Sequence, residues 1–258
     1  MKKLVQAVIL KNECYVDHIF DMLLSAREIA ELANPGQFIN LYTGKGEMLL
    51  PRPISLCEIN RKEGTLRLLY QAVGKGTQYF TTLQKNDTIK VMGPLGNGFF
   101  IDKKCQKHIL IGGGIGVPPL LELAKTLQGT VSVLIGAKSN PILVKEFEKI
   151  GAAVFVATDD GSYGIHGTVL DILKKEALQA DMIYACGPKA MLKATSDWAE
   201  QNKMSIQVSM EERMACGIGA CVGCTVKIKK DSKKDWENRK VCKDGPVFWG
   251  NEVAWNAQ

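Results

Sequence analysis

The chain has 258 residues, of which 46% are hydrophobic and 23% charged, and its formal charge at pH 7 is +6. That length suits one large domain or two medium ones with ample apolar material for a core. So mild a positive balance, with no basic run longer than two residues, argues against nucleic acid as a partner.

The opening MKKLVQAVIL imitates the charged start of a signal peptide. Its apolar stretch is short, contains Gln6 and runs into Lys11, Asn12 and Glu13, so it reads as a first strand. Short segments rich in β-branched and aromatic residues follow, separated by turn signals at Asn34 (NPGQ), Thr43 (TGKG), Arg61 (RKEG) and Lys85 (KND). This pattern predicts a small antiparallel barrel over residues 1–101. Within it, Arg52 of the RPIS stretch is suited to neutralise a pyrophosphate, the Gly74–Thr77 turn to donate amides to it, and Ser55 to hydrogen-bond a ring. Taken without the other motifs, RPIS reads better as just a strand end with a proline.

From about His108 the pattern alternates between strands and helices: HILIGGG then PPLLELAKTLQ, VSVLIGA then LVKEFEKIG, AVFVATD then TVLDILKKEAL, MIYACG then KAMLKATSDWAEQ. Such alternation predicts an open parallel sheet with flanking helices over residues 102–203. The stretch ILIGGGIGVPP places Gly112, Gly113, Gly114 and Gly116 between a strand and a helix, where the backbone can approach a pyrophosphate. It is not a strict G-x-G-x-x-G, and simple packing is an open alternative. ACGPKAM brings Cys186, Gly187 and Pro188 to the same carboxyl edge of the sheet, where such sheets bind ligands. The longest apolar tract, Ile109 to Ala124, is broken by glycines and prolines and cannot span a bilayer as a helix, so no membrane partner is expected. A cytoplasmic location follows as the expectation, with thiols kept reduced.

Residues 204–258 show little periodicity and hold four of the eight cysteines, Cys216, Cys221, Cys224 and Cys242, in the spacing C-x4-C-x2-C-x17-C. That is the spacing of plant-type 2Fe-2S ligation, although thiolate ligands also permit zinc. Small residues between them (Ala215, Gly217, Gly219, Ala220, Gly223) would let backbone amides face the cluster. The stretch KKDSKKDWENRK, Lys229 to Lys240, reads as a solvated hairpin, with a docking surface as the other possibility. Cys14, Cys57 and Cys105 read as small core residues, and His18, His108 and His166 are too scattered for a metal set. An iron-sulfur cluster passes one electron at a time while a nicotinamide takes two as hydride. A flavin bridges that mismatch, and the barrel is the place for it.

RPIS, GKGT, GPLGNGF (Gly93 to Phe99), GGGIGVPP, CGP and the cysteine loop occur in the order of the ferredoxin-NADP reductase superfamily. Within it, VCKDGPVFWGNEV (Val241 to Val253) resembles the electron-transfer subunits of class 1B bacterial dihydroorotate dehydrogenases, and the similarity covers almost the whole chain. The resemblance implies FAD in the barrel, NAD in the α/β domain and a 2Fe-2S cluster in the C-terminal segment. It assigns Arg52, Pro53, Ile54 and Ser55 to the flavin ring, Leu69, Tyr70 and Gln71 to a second flavin strand, and Gly76 and Thr77 to the pyrophosphate turn. Gly113, Gly114 and Gly116, with Gly187 and Pro188, fall in the NAD-binding domain, Cys186 matches the CGP cysteine near the nicotinamide, and Cys216, Cys221, Cys224 and Cys242 match the cluster ligands. Ile54 stands where the wider superfamily often has an aromatic residue. The implied partner is an FMN-containing dihydroorotate dehydrogenase catalytic subunit, in a heterotetramer of two of each. Electrons would then pass from its reduced FMN through the cluster and FAD to NAD, supporting oxidation of dihydroorotate to orotate in pyrimidine biosynthesis, with no catalytic acid or base on this chain. Two other readings stay open: the small subunit of an NADH-dependent ferredoxin-NADP reductase or sulfhydrogenase, and a non-catalytic iron-sulfur redox sensor. The preference for NAD rests on the resemblance, because AKSNPI at Ala137 offers Lys138 but neither an arginine pair nor a carboxylate.

Overall fold

The fold is given by a computed structural model that describes residues 1–230 and 235–257; Lys233 and Lys234 of the basic stretch lie outside the described residues. The N-terminal strands are β1 (Lys3–Val16), β2 (Ile19–Ser25), β3 (Phe38–Tyr42), β4 (Arg52–Ser55), β5 (Glu58–Asn60), β6 (Thr65–Gln71) and β7 (Thr88–Leu95), with short helices α1 (Arg27–Ala30) and α2 (Lys75–Thr81). They make one antiparallel sheet in the order β4-β3-β7-β1-β2-β6-β5. The stretch that imitates a leader is thus the sheet's central strand. Its register shifts between Ile9 and Lys11 and between Cys14 and Val16, irregularities that bend a strand and help the sheet curl into a half-barrel. Period-two alternation decides what faces inward. On β6, Leu66, Leu68 and Tyr70 enter the half-barrel core with Ile39, Leu41 and Phe80, while Leu69 joins a different core beyond the sheet.

The second half consists of β8 (Lys107–Gly113), α3 (Pro119–Thr126), β9 (Thr130–Ala137), α4 (Val144–Lys149), β10 (Ala153–Thr158), β11 (Ile165–His166), α5 (Val169–Glu176), β12 (Met182–Cys186), α6 (Lys189–Gln201) and β13 (Ser205–Ser209). From β8 to α6 it follows the strand-helix alternation of its sequence, and it adds two strands that alternation does not include, β11 and β13. The C-terminal segment adds β14 (Thr225–Lys229), β15 (Trp236–Lys240) and β16 (Val247–Trp249). The sheet order is β11-β10-β9-β8-β12-β13-β16, parallel except for β16. The segment whose sequence lacks periodicity therefore supplies the sheet's edge, while β14 and β15 form the expected hairpin. There the Lys227 ammonium lies 4.3 Å from the centre of the Trp236 ring. No helix of the described residues is long and apolar enough to cross a membrane.

The two sheets meet across apolar and ionic contacts. Leu69 and Phe99 share a core with Leu110, Leu120 and Tyr184 of the second sheet. Beside it Arg67 of β6 binds Asp21 of β2 (2.9 Å), Glu58 of β5 (2.5 Å) and Glu146 of α4 (3.6 Å), and Lys125 of α3 also pairs with Glu58. The Tyr15 hydroxyl donates to the Glu146 carboxylate and accepts from the Leu143 amide. The buried Glu122 side chain accepts from the Ile59 amide at 2.9 Å. Half-buried charges persist only when paired, and here the pairing ties each sheet to the other.

Burial pushes the Glu58 carboxyl up, but hydrogen bonds from Lys125 and Arg67 outweigh it and hold the group below its usual value. A depressed carboxyl adds stability that is present above the unfolded value of about 4.3 and lost as the pH falls through the folded value. Urea unfolding of Glu58→Gln is therefore expected to show the larger deficit at pH 7 and a shrinking one toward pH ~3. Removing the cation, as in Arg67→Ala, leaves Asp21 with the Lys11 ammonium as its remaining cationic partner (3.2 Å) and strips Glu146 of its ion pair with β6, and is expected to cost about 3 kcal/mol.

Candidate functional site

The four clustered cysteines are brought together as two pairs. Cys216 receives the Cys221 amide at 3.4 Å, and Cys224 lies beside Cys242, whose neighbouring Val241 amide donates to the Cys224 carbonyl at 2.8 Å. Cys224 and Cys242 are buried, whereas Cys216 and Cys221 are half-buried in the loop. Among the described residues no three His, Cys, Asp or Glu side chains gather around a single point. Two pairs suit a centre in which each of two irons takes two thiolates.

The loop backbone supplies the polarity. Burial raises the Cys216 thiol, yet the amides of Cys221, Ile218 and Ala220 turn toward its sulfur and bring it well below the ordinary thiol value. Cys242 moves the other way, through burial and through the adjacent Cys224 and Cys216 sulfurs. Thiolate is the form that ligates a metal, and a bound cation is the group that would stabilise it there. The amides can point inward because Gly217 and Gly219 have φ of +66° and +86°, which favours glycine.

Side chains far away in sequence hold this loop. Asn40 of β3 donates to the Cys216 carbonyl (3.3 Å), Lys2 to the Ile218 carbonyl (3.3 Å) and Lys240 to the Gly219 carbonyl (2.8 Å). Asn97 donates to the carbonyls of Lys243 and Asp244, just after Cys242. None of the four announces this in the sequence, since only the fold reveals their backbone partners; Asn97 sits inside GPLGNGF, the nearest thing to a signal.

The glycine turns after β8 and β12 touch. A Cβ at Gly116 would fall 2.4 Å from the Cys186 carbonyl oxygen, and one at Gly113 would fall 2.8 Å from Pro188 and 2.7 Å from the Met191 sulfur. Gly114, with φ of +53°, faces open space. β8 is where the strand order reverses, between β9 and β12, so the crevice outlined by Gly113, Gly114, Gly116, Gly187 and Pro188 lies at a topological switch point. Cys186 is buried, and burial pushes its thiol up to about 12 despite a hydrogen bond with Ser209. It is an inert thiol at neutral pH.

On the half-barrel, Arg52, Pro53, Ile54 and Ser55 are half-buried along β4, and the Arg52 guanidinium covers Gly76, where a Cβ would sit 2.0 Å from Nε. The Thr77 hydroxyl accepts the Val73 and Gly74 amides (3.0 and 3.1 Å), closing the turn at the start of α2. An arginine lying across a glycine turn is a fitting place for an anionic diphosphate. Of the second strand, Gln71 is exposed, while Leu69 and Tyr70 are buried. Tyr70 stacks on Phe20 at 5.7 Å and its hydroxyl donates to Asn12. Ile54 packs against the half-barrel core.

A half-barrel carrying this arginine, a parallel sheet carrying the glycine crevice and a cysteine loop against both define a reductase of the ferredoxin-NADP reductase fold class. Solved structures agree. That of an NADH-dependent reduced ferredoxin-NADP oxidoreductase superposes with a TM-score of 0.86 at 29% identity, over 98% of this chain and 91% of the other. A ferredoxin NADP+ reductase from Neisseria gonorrhoeae, with bound FAD and NADP, superposes at 0.64 and 18% identity, over 77% of this chain and 91% of the other. The family model described as the iron-sulfur cluster binding domain of dihydroorotate dehydrogenase B matches residues 211–254. The dihydroorotate dehydrogenase B (NAD(+)) electron transfer subunit of Geobacillus thermodenitrificans is 40% identical over 95% of this chain and 96% of its own length, and that of Listeria welshimeri 42% over 92% and 94%. The chain belongs to the family of dihydroorotate dehydrogenase B electron transfer subunits.

Because a Cβ at Gly116 meets main-chain atoms of Cys186 and Gly187 rather than flexible side chains, Gly116→Ala must push the two turns apart. Its thermal unfolding is expected to show a loss of about 1–3 kcal/mol, as in other overpacked sites, together with loss of nucleotide protection against unfolding.

Proposed function

We propose that this chain is the electron conduit of a dihydroorotate dehydrogenase, passing electrons from a partner's reduced FMN to NAD. The observation that carries the reading is the convergence on one chain of two thiol pairs, an arginine across a glycine turn and a glycine crevice at the sheet's switch point. When bound, a 2Fe-2S cluster and FAD supply the exchange between single electrons and hydride. The residues of the chain bind and orient. Cys216, Cys221, Cys224 and Cys242 hold the cluster, with the inward amides of Ile218, Ala220 and Cys221 favouring added negative charge there. Arg52 and the Gly76–Thr77 turn hold the FAD diphosphate, and Pro53, Ile54 and Ser55 line its ring, with Leu69, Tyr70 and Gln71 as the supporting strand. Tyr70 acts through packing, since its ring is 1% exposed. Gly113, Gly114, Gly116, Gly187 and Pro188 admit NAD at the crevice, and Cys186 borders it as a neutral thiol. No general acid or base is required of this chain.

The partner in this proposal is the FMN-containing catalytic subunit, two of each forming a cytoplasmic heterotetramer. It is the family relationship, at about 40% identity over nearly the full length, that favours this over the bifurcating reductase whose structure superposes at 29% identity. The isolated chain is expected to oxidise NADH with artificial acceptors and to leave dihydroorotate untouched, and addition of the catalytic subunit should create dihydroorotate-to-NAD activity. Dihydroorotate oxidation by the isolated chain would refute the conduit. Arg52→Ala, which removes a charge-assisted hydrogen bond, should weaken FAD by about 1.5–3 kcal/mol, on the order of 10- to 100-fold in Kd, as read by flavin release on dilution.

A further inference from the structure

Asn40 has no exposed surface, yet half of its amide is unsatisfied. Its Nδ2 donates to the Cys216 carbonyl across 176 residues of sequence, while its Oδ1 is a buried acceptor with no partner among the described residues. Buried polar groups are paired almost everywhere in native proteins, so an orphan of this kind marks a place completed by something other than the chain. The residue lies mid-strand on β3, opposite Pro53 of β4 on one side and Met92 of β7 on the other. The cysteine loop lies directly over it. A Cβ on Gly217 would fall 2.3 Å from Nδ2 and 2.8 Å from Oδ1, so residue 217 must lack a side chain for the loop to settle on this amide.

We propose that Asn40 is a positioning residue for the cysteine loop: from the half-barrel strand beside Arg52–Ser55 it fixes the main chain of Cys216, and through it the orientation of the first sulfur toward the loop amides. The inference rests on the reading that the loop holds an iron-sulfur cluster. Its physical basis is that amides aimed at a ligand sulfur tune the centre, and that outer residues holding ligands in place typically matter 10- to 100-fold for metal retention. Asn40 also joins the strand next to the proposed flavin site to the first ligand through one side chain. An inert polar filler would instead tolerate an apolar residue of its own size.

The test uses the full chain, purified anaerobically, with iron, acid-labile sulfide and FAD counted per chain. Asn40→Leu keeps the branched shape and the number of side-chain heavy atoms and removes both polar atoms; Asn40→Ser keeps polarity, is small enough to be accommodated, and is too short to reach the Cys216 carbonyl. Both are expected to retain FAD at the unmutated level. Both should release iron to a chelator about 10-fold faster or more, with an altered electron paramagnetic resonance spectrum of the reduced cluster and a shifted midpoint potential. Iron release, spectrum and midpoint all unchanged in either folded variant would overturn the proposal. An unmutated chain that contains no iron and no labile sulfide would instead overturn the underlying reading of the loop.

Discussion

The Cys221 amide turned onto the Cys216 sulfur at 3.4 Å, with the amides of Ile218 and Ala220 lowering the same thiol, is the constraint on which the arrangement of the cysteine loop depends. A backbone that aims its N–H groups into a shared centre cannot use them for a ladder or a helix, so the loop has no regular structure of its own to keep it in place. It is held instead from outside. Asn40, Lys2 and Lys240 take its carbonyls, and Asn97 takes those that follow Cys242. The loop thereby leans on the half-barrel, while β13 and β16 on either side of it belong to the parallel sheet.

An electron conduit needs its parts at fixed separations, and the cores meet that need. Cys224 and Cys242 share one apolar cluster with Phe38 and Leu95 of the half-barrel and with Ile109, Ile183 and Val208 of the parallel sheet. A second cluster joins Leu69 and Phe99 to Leu110, Leu120 and Tyr184. Arg67 and its carboxylates add direction to contacts that apolar packing alone would leave free to slide, because each charge has its partner on a different element. The three pieces are therefore parts of one body, a state suited to passing charge over short distances.

What the sequence made legible is what depends on neighbours along the chain. The cysteine spacing, the glycines after Ile111 and the CGP turn are local patterns, and the strand-helix alternation from His108 is a periodicity. All of them reappear where they were expected. What stayed hidden depends on partners far away. The loop's supports are ordinary Asn and Lys residues in the sequence, and Asn40 differs from any other strand asparagine only in what lies 176 residues further on. The three-residue β16 is too short to display a period, and SIQVS of β13 alternates without saying which sheet it joins. The partners of Tyr70, namely Phe20, Phe80 and Asn12 inside the half-barrel core, are likewise distant in sequence or unmarked by any pattern.

The central claim is that electrons reach the nicotinamide through the cysteine-held centre. The most direct measurement mixes dihydroorotate and NAD rapidly with the assembled complex under anaerobic conditions. It follows the visible absorbance of the cluster and the appearance of NADH, in the unmutated protein and in Cys224→Ser. The account predicts that the cluster bleaches no later than NADH forms, and that Cys224→Ser, with FAD still bound and NADH oxidation by artificial acceptors retained, forms no NADH from dihydroorotate. NADH produced at the unmutated rate by a complex lacking the cluster would contradict it.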